Sequence, residues 1–134
     1  MPDILCSGDT MSSNGVIVLT NVSYASRVGR VTYAHNVQLW SSDKKKLSSF
    51  TTHFSFTVDT KGNKDYGSGF AFFLTPVGFQ IPPNSAGGFL GLFNTTNGSS
   101  KNQIVLVEFD SYSDDWDPKF EHVVININSI ASNL

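Results

Sequence analysis

Hydrophobic and polar residues alternate along much of this chain, and the alternation has the period of a strand. Phe50, Thr52, Phe54, Phe56 and Val58 fall on one side of an extended chain, and Thr51, His53, Ser55 and Thr57 on the other. That is the pattern of a half-buried antiparallel strand. Val28, Arg30 and Thr32 alternate in the same way against Gly29, Val31 and Tyr33. Shorter strands are expected at Val16 to Thr20, after the Asn14-Gly15 turn signal, and at Asn36 to Trp40. Gly69 to Leu74 is apolar throughout, as in a sheet covered on both faces. From Ile104 to Asp110, residues Val105, Val107 and Phe109 point one way and Ile104, Leu106, Glu108 and Asp110 the other. A last strand runs from His122 to Asn128. Polar or irregular loops separate these runs: Ser41-Ser42-Asp43, Asp59 to Gly67, and Thr75 to Ala86 with its three prolines. No window carries a sustained helical period. The chain is therefore expected to be all-β, a sandwich or barrel of short strands.

Composition agrees with a folded domain. Of 134 residues, 40% are hydrophobic and 15% charged, which excludes a disordered chain. The 11 phenylalanines supply the core. Trp40 and Trp116 are read as core residues too. A net charge of −2 gives no reason to expect a nucleic-acid surface. The one basic run, Lys44-Lys45-Lys46, reads as a solvated turn. Cys6 is the only cysteine, so no internal disulfide forms. No apolar run is long enough to span a membrane, and Met1-Pro2-Asp3 does not open a signal peptide. Asn21, Asn94 and Asn97 head glycosylation sequons.

Candidate chemistry collects after the apolar 104–107 run. Glu108 and Asp110 lie side by side on one strand face, and Asp114 and Asp117 follow in the turn. Adjacent carboxylates repel, and one is driven toward protonation unless a cation lies between them. His122 opens the next strand and returns beside them. Oxygen ligands suit calcium, and a histidine among carboxylates suits a transition metal. His53 has no carboxylate near it in sequence and reads as an ordinary exposed residue.

Those residues also carry a resemblance. Val107-Glu108-Phe109-Asp110-Ser111-Tyr112, Trp116-Asp117-Pro118, His122 and Asn126 to Ile130 resemble the metal-binding core of legume (L-type) lectins. Gly15 to Thr20, Val37-Gln38-Leu39-Trp40, Phe54-Ser55-Phe56, Gly69 to Leu74 and Gly87 to Phe93 resemble that family too, in its order. The stretch Phe79 to Gly88 looks most like the lectin ectodomains of plant lectin-receptor kinases. The resemblance implies a concanavalin-like β-sandwich, a jelly roll, and a carbohydrate-binding protein carrying Ca2+ and Mn2+. It implies metal roles for Glu108, Asp110, Tyr112 (through its carbonyl), Asp114, Asp117 and His122, with Ser132 near a metal-bound water. It implies sugar contacts at the positions of Ser68, Gly88, Tyr112 and Asp114. It further implies an extracellular or secretory location.

Two departures qualify what the resemblance implies. Ser68 stands where the family has an Asp held by a cis peptide, and Asp114 where it usually has Asn. A charged hydrogen bond lost at such a site is worth roughly 1.5–3 kcal/mol, and an ionised Asp side chain has no N–H to donate. A weakened monosaccharide site is therefore expected. Without the Asp and its calcium, Gly67-Ser68 is expected to be trans, since non-proline cis bonds cost about 3–4 kcal/mol. The second departure is length. Closed sandwiches of this kind run to roughly 200–250 residues, so residues 1–134 are expected to form a partial lectin-like domain. A second chain, self-association or a rearranged smaller sandwich would then cover the apolar strands. The alternative to glycan binding is a lectin-like interaction or oligomerisation module that binds no sugar. Catalysis is not expected. Glycoside hydrolases of related fold need a second Glu after the carboxylate pair, and that position is Tyr112.

Overall fold

The computed structural model describes residues 3–21, 23–97 and 102–132. Among these, all the regular structure is strand apart from one short 3-10 turn at Gly87–Phe89. β1 (Ile4–Gly8) pairs antiparallel with β4 (Gly29–Tyr33), and β2 (Met11–Ser13) with β3 (Val16–Val18). Asn14 (φ 51°) and Gly15 (φ 78°) both take the left-handed conformation that a two-residue hairpin turn requires. β5 (Trp40–Ser41) and β6 (Lys46–Leu47) flank the lysine turn. β7 (Gly69–Leu74), β8 (Val105–Asp110) and β9 (His122–Ile127) form an antiparallel sheet with β8 in the centre.

The register of this sheet sorts its side chains into two chemically different faces. Phe70 lies opposite Phe109, and Phe109 opposite Val123; Phe72, Val107 and Ile125 follow, then Leu74, Val105 and Ile127. One face is thus wholly apolar. The other carries Ala71 and Phe73, then Leu106, Glu108 and Asp110, then His122, Val124 and Asn126. Its inner part joins the core. Leu92, Phe93, Ile104, Leu106 and Ile130 are buried together, with Phe73, Phe79, Phe89 and Trp116 packed against them. Burying side chains of this size stabilises by about 1.5–3 kcal/mol each. Asn128 closes the end of the sheet: its N–H donates to the Ile104 carbonyl at 2.7 Å, and its side-chain oxygen accepts the Ile104 N–H at 3.0 Å.

Several expectations need correction. The most regular alternation, Phe50 to Val58, belongs to no strand ladder among the described residues. It is held instead through its rings: Phe54 stacks on Phe72 at 5.6 Å, and Phe56 meets Phe70 at 4.2 Å and Phe109 at 5.4 Å. Alternation reports which side of a segment is apolar; a strand also needs a neighbour to hydrogen-bond. Asn36 to Trp40 contributes only Trp40 to a strand, and Trp40 is exposed rather than core. β1 and β2 were not foreseen, because their residues barely alternate and take their order from their partners. Gly69 to Leu74 is covered on one face and only half-covered by Phe54 and Phe56 on the other.

Candidate functional site

The polar end of the inner sheet face gathers the acidic residues. β8 presents Glu108 and Asp110, β9 presents His122 and Asn126 beside them, and the 111–121 turn folds Asp114 and Asp117 back over the same place. Glu108 is 1% exposed, and Asp110, Asp117 and His122 are also buried. One side-chain atom each from Asp110, Asp117 and His122 lie within 4.8 Å of one another. His122 Nε2 is 3.9 Å from Asp110 Oδ2. The turn is locked by short bonds: the Tyr112 N–H donates to Asp110 Oδ1 (2.7 Å), the Asp114 N–H to Asp117 Oδ2 (3.1 Å), and Ser113 Oγ to the Pro118 carbonyl (2.8 Å).

The electrostatics of this cluster are those of buried carboxylates crowded against one another. Burial pushes the Glu108 carboxyl up to about 7, and the charges of Asp117 and Asp110 add to the effect. Burial raises Asp110 as well, with Asp117 contributing. Asp114 is raised by burial, then by Asp117 and Asp115. His122 Nδ1 lies 3.1 Å from the Phe120 carbonyl, which can only accept, so this nitrogen is the donor. In the neutral ring Nε2 is then the lone-pair end, facing the cluster, the arrangement typical of a metal-binding histidine. Asp114 Oδ2 is buried without a hydrogen-bond partner. An orphaned oxygen, several carboxyls pushed toward protonation and an imidazole lone pair together fit a calcium beside a transition metal.

Two partners escaped the sequence reading or entered it only by resemblance. Asn126 Nδ2 donates to Glu108 Oε2 at 2.7 Å, and Ser132 Oγ lies 3.3 Å from Glu108 Oε2, 3.3 Å from Asp117 Oδ1 and 3.1 Å from His122 Nε2. The signal for Asn126 was present: it shares a strand face with His122, four residues back.

The positions singled out for sugar contact collect on loops at the same end of the sheet. Gly67, Ser68 and Tyr112 line an open hollow of about 310 Å3 together with Asp65 and Tyr66. Gly88 lies against Asp114 so closely that a methyl group there would overlap the carboxylate. Trp116 stacks on Phe89 at 5.1 Å behind them. Contrary to expectation, the Gly67-Ser68 peptide is cis. The Ser68 carbonyl accepts from both the Ser111 N–H (3.0 Å) and the Ser111 hydroxyl (3.1 Å), contacts that need neither an Asp side chain nor a cation.

At the sequons, the Asn21 side-chain oxygen accepts the Ser23 N–H at 2.9 Å. The Asn94 amide is used on both sides, accepting from Thr96 and Asn97 and donating to the Pro83 carbonyl at 3.2 Å. Asn97 accepts the Asn94 N–H at 2.6 Å, while Gly98 and Ser99 of its sequon lie outside the described residues.

Comparison with known proteins places these features in a family. The legume lectin domain model matches residues 1–134. The chain is 50% identical to L-type lectin-domain containing receptor kinase IX.1 of Arabidopsis thaliana, over 98% of this chain and 21% of that protein. It is 41% identical to Lectin 6 of Medicago truncatula, over 98% of this chain and 51% of that lectin. Among solved structures, basic winged bean lectin with Tn-antigen aligns with a TM-score of 0.84 and 32% identity, covering 100% of this chain and 57% of the other. Lectin II from Ulex europaeus aligns with a TM-score of 0.77 and 35% identity, covering 97% and 57%. The chain thus spans about half the length of the lectins it matches. The fold is the all-β, concanavalin-like sandwich of these neighbours. On sequence and on structure alike, the chain belongs to the legume lectin domain family.

Proposed function

We propose that this chain is a carbohydrate-binding domain with a calcium and manganese site and a weakened monosaccharide site. Lectins of its family are carbohydrate-binding proteins rather than enzymes, and generally bind these two metals. One observation carries the reading: Asp110, Asp117 and His122, all buried, converge beside Glu108, with a side-chain atom from each within 4.8 Å of the others. Glu108, Asp110, Asp117 and His122 would hold the transition metal, and Asp110, the Tyr112 carbonyl, Asp114 and Asp117 the calcium. When bound, the cations supply positive charge to a cluster that otherwise has to protonate. The chain's own residues do the rest. Asn126 and Ser132 hold Glu108, Phe120 orients the His122 ring, and the locked turn keeps Asp114 against Gly88.

The weakening lies in the sugar contacts. Ser68 offers a neutral, short hydroxyl where a carboxylate would take two sugar hydroxyls, and Asp114 has no side-chain N–H. Elemental analysis after loading should find calcium and manganese bound together, and titration calorimetry should find mannose, glucose and galactose binding weaker than millimolar. Absence of both metals after loading would sink the metal reading; a millimolar constant lost on EDTA treatment would sink the weakened site. Residues 1–134 then act as one partial lectin domain, working outside the cell or in the secretory pathway, with Asn21 the best-placed glycan acceptor.

A second reading, an interaction module that binds no sugar, has its own support. Val123, Ile125 and Ile127 on the apolar sheet face are 61%, 67% and 67% exposed. Bare apolar sheet faces of this kind are covered by another chain or by a second copy. A glycan array separates the readings, because the module would stay dark on it while still associating.

A further inference from the structure

We propose that Asp65 and Tyr66 supply what grip the weakened sugar site retains, replacing in part the contact that Ser68 no longer makes, and that the ligand is a terminal, uncharged pyranose with adjacent free hydroxyls. This rests on the carbohydrate reading above. The hollow of about 310 Å3 is lined by Asp65, Tyr66, Gly67, Ser68 and Tyr112. Small-molecule pockets run from about 300 to 1,000 Å3, so this one suits a single sugar residue rather than a length of chain.

Two of its lining residues are tyrosines: Tyr66, next to Gly67 in the chain, and Tyr112, packed against Gly67. Tyr112 is 58% exposed and Tyr66 39%. Both are nonetheless held. The Tyr66 hydroxyl donates to Glu121 Oε1 at 3.2 Å, tying the 59–67 loop to the residue before β9. Tyr112 is anchored by its N–H on Asp110, and its Cβ sits so close to Gly67 that a side chain there would collide with it. With the Tyr66 hydroxyl tied and the Tyr112 backbone anchored, both rings stand at the hollow, and their electron-rich faces suit the C–H groups of a pyranose.

The charged contact comes from Asp65, the one acid lining the hollow. It is exposed and makes no ion pair or hydrogen bond among the described residues, unlike Asp59, which is paired with Lys61 at 2.6 Å. An ionised carboxylate accepts from two neighbouring hydroxyls at once, the service an Asp at position 68 would give. The Ser68 hydroxyl is turned toward Gly87.

The test is a glycan array followed by NMR titration of the best glycan, with calcium and manganese present, on the wild-type chain, Asp65→Asn, Tyr66→Ala, Tyr66→Phe and Ser68→Asp. The wild type should bind weakly, with a dissociation constant above about a millimolar. Asp65→Asn and Tyr66→Ala should each weaken binding about tenfold or more, with metal content and melting temperature unchanged for Asp65→Asn. Tyr66→Phe keeps the ring and should stay within about threefold. Wild-type affinity in both Asp65→Asn and Tyr66→Ala overturns this inference and leaves the carbohydrate reading standing. So does binding that appears only in Ser68→Asp. Binding by neither the wild type nor Ser68→Asp overturns both.

Discussion

Glu108 is the residue whose chemistry is most constrained. It is buried, and its carboxyl is raised to about 7 by that burial and by the charges of Asp117 and Asp110, against the opposing influence of His122 and Ser132. Its pKa is higher folded than unfolded, so between pH 4.5 and 7 the folded, metal-free chain holds the extra proton. Stability from this group is full below about 4.5 and is lost as pH rises through 7, by about 3 kcal/mol for a shift of this size. Metal-free chain should therefore melt higher at pH 5 than at pH 8. Loaded chain should show the reverse, because metal binding requires the ionised form and releases protons. Glu108→Gln should flatten the metal-free pH profile while lowering manganese content, read by calorimetry and elemental analysis. Gly88→Ala is the complementary probe. A methyl there overlaps the Asp114 carboxylate and crowds the Trp116 ring, and should cost about 1–3 kcal/mol in a denaturant melt.

Among the elements, β1 and β4 depend on a glycine more than on side-chain burial. A Cβ on Gly29 would run into the backbone carbonyl of Leu19, which cannot move as a side-chain tip would. Gly29→Ala should open the β1–β4 ribbon, seen as faster amide exchange from Ile4 to Gly8 while β8 and β9 stay protected. Alternation made β8 and β9 readable to within a residue, down to which side chains share a face with Glu108. It misled at Phe50 to Val58, where the apolar side is real but no neighbouring strand supplies a ladder. The acidic turn was legible as a donor set because its residues are close in sequence. Asp65 and Tyr66 were not, since what brings them to Tyr112 is the fold of the 59–67 loop. The expectation of a trans Gly67-Ser68 bond rested on Ser68 replacing an Asp, and the bond is cis with Ser in that place.

For the molecule as a whole, the three-stranded sheet carries a metal-type cluster on one face and, on the other, an apolar surface half-covered by Phe54 and Phe56 and bare along β9. EDTA treatment of loaded chain should lower the melting temperature, by an amount that grows with the metal concentration originally present. Ile125→Lys should leave metal content unchanged and reduce concentration-dependent association in light scattering, because Ile125 stands in the middle of the exposed row. The two-sided sheet also guards its own pairing. A slip of β9 by one residue would turn His122 and Asn126 to the outside and press Val123, Ile125 and Ile127 against Glu108 and Asp110. Mispairing would thus be penalised on both faces at once. The loop between β8 and β9 is thereby relieved of the task of setting the register, and its residues are left to serve the acidic cluster.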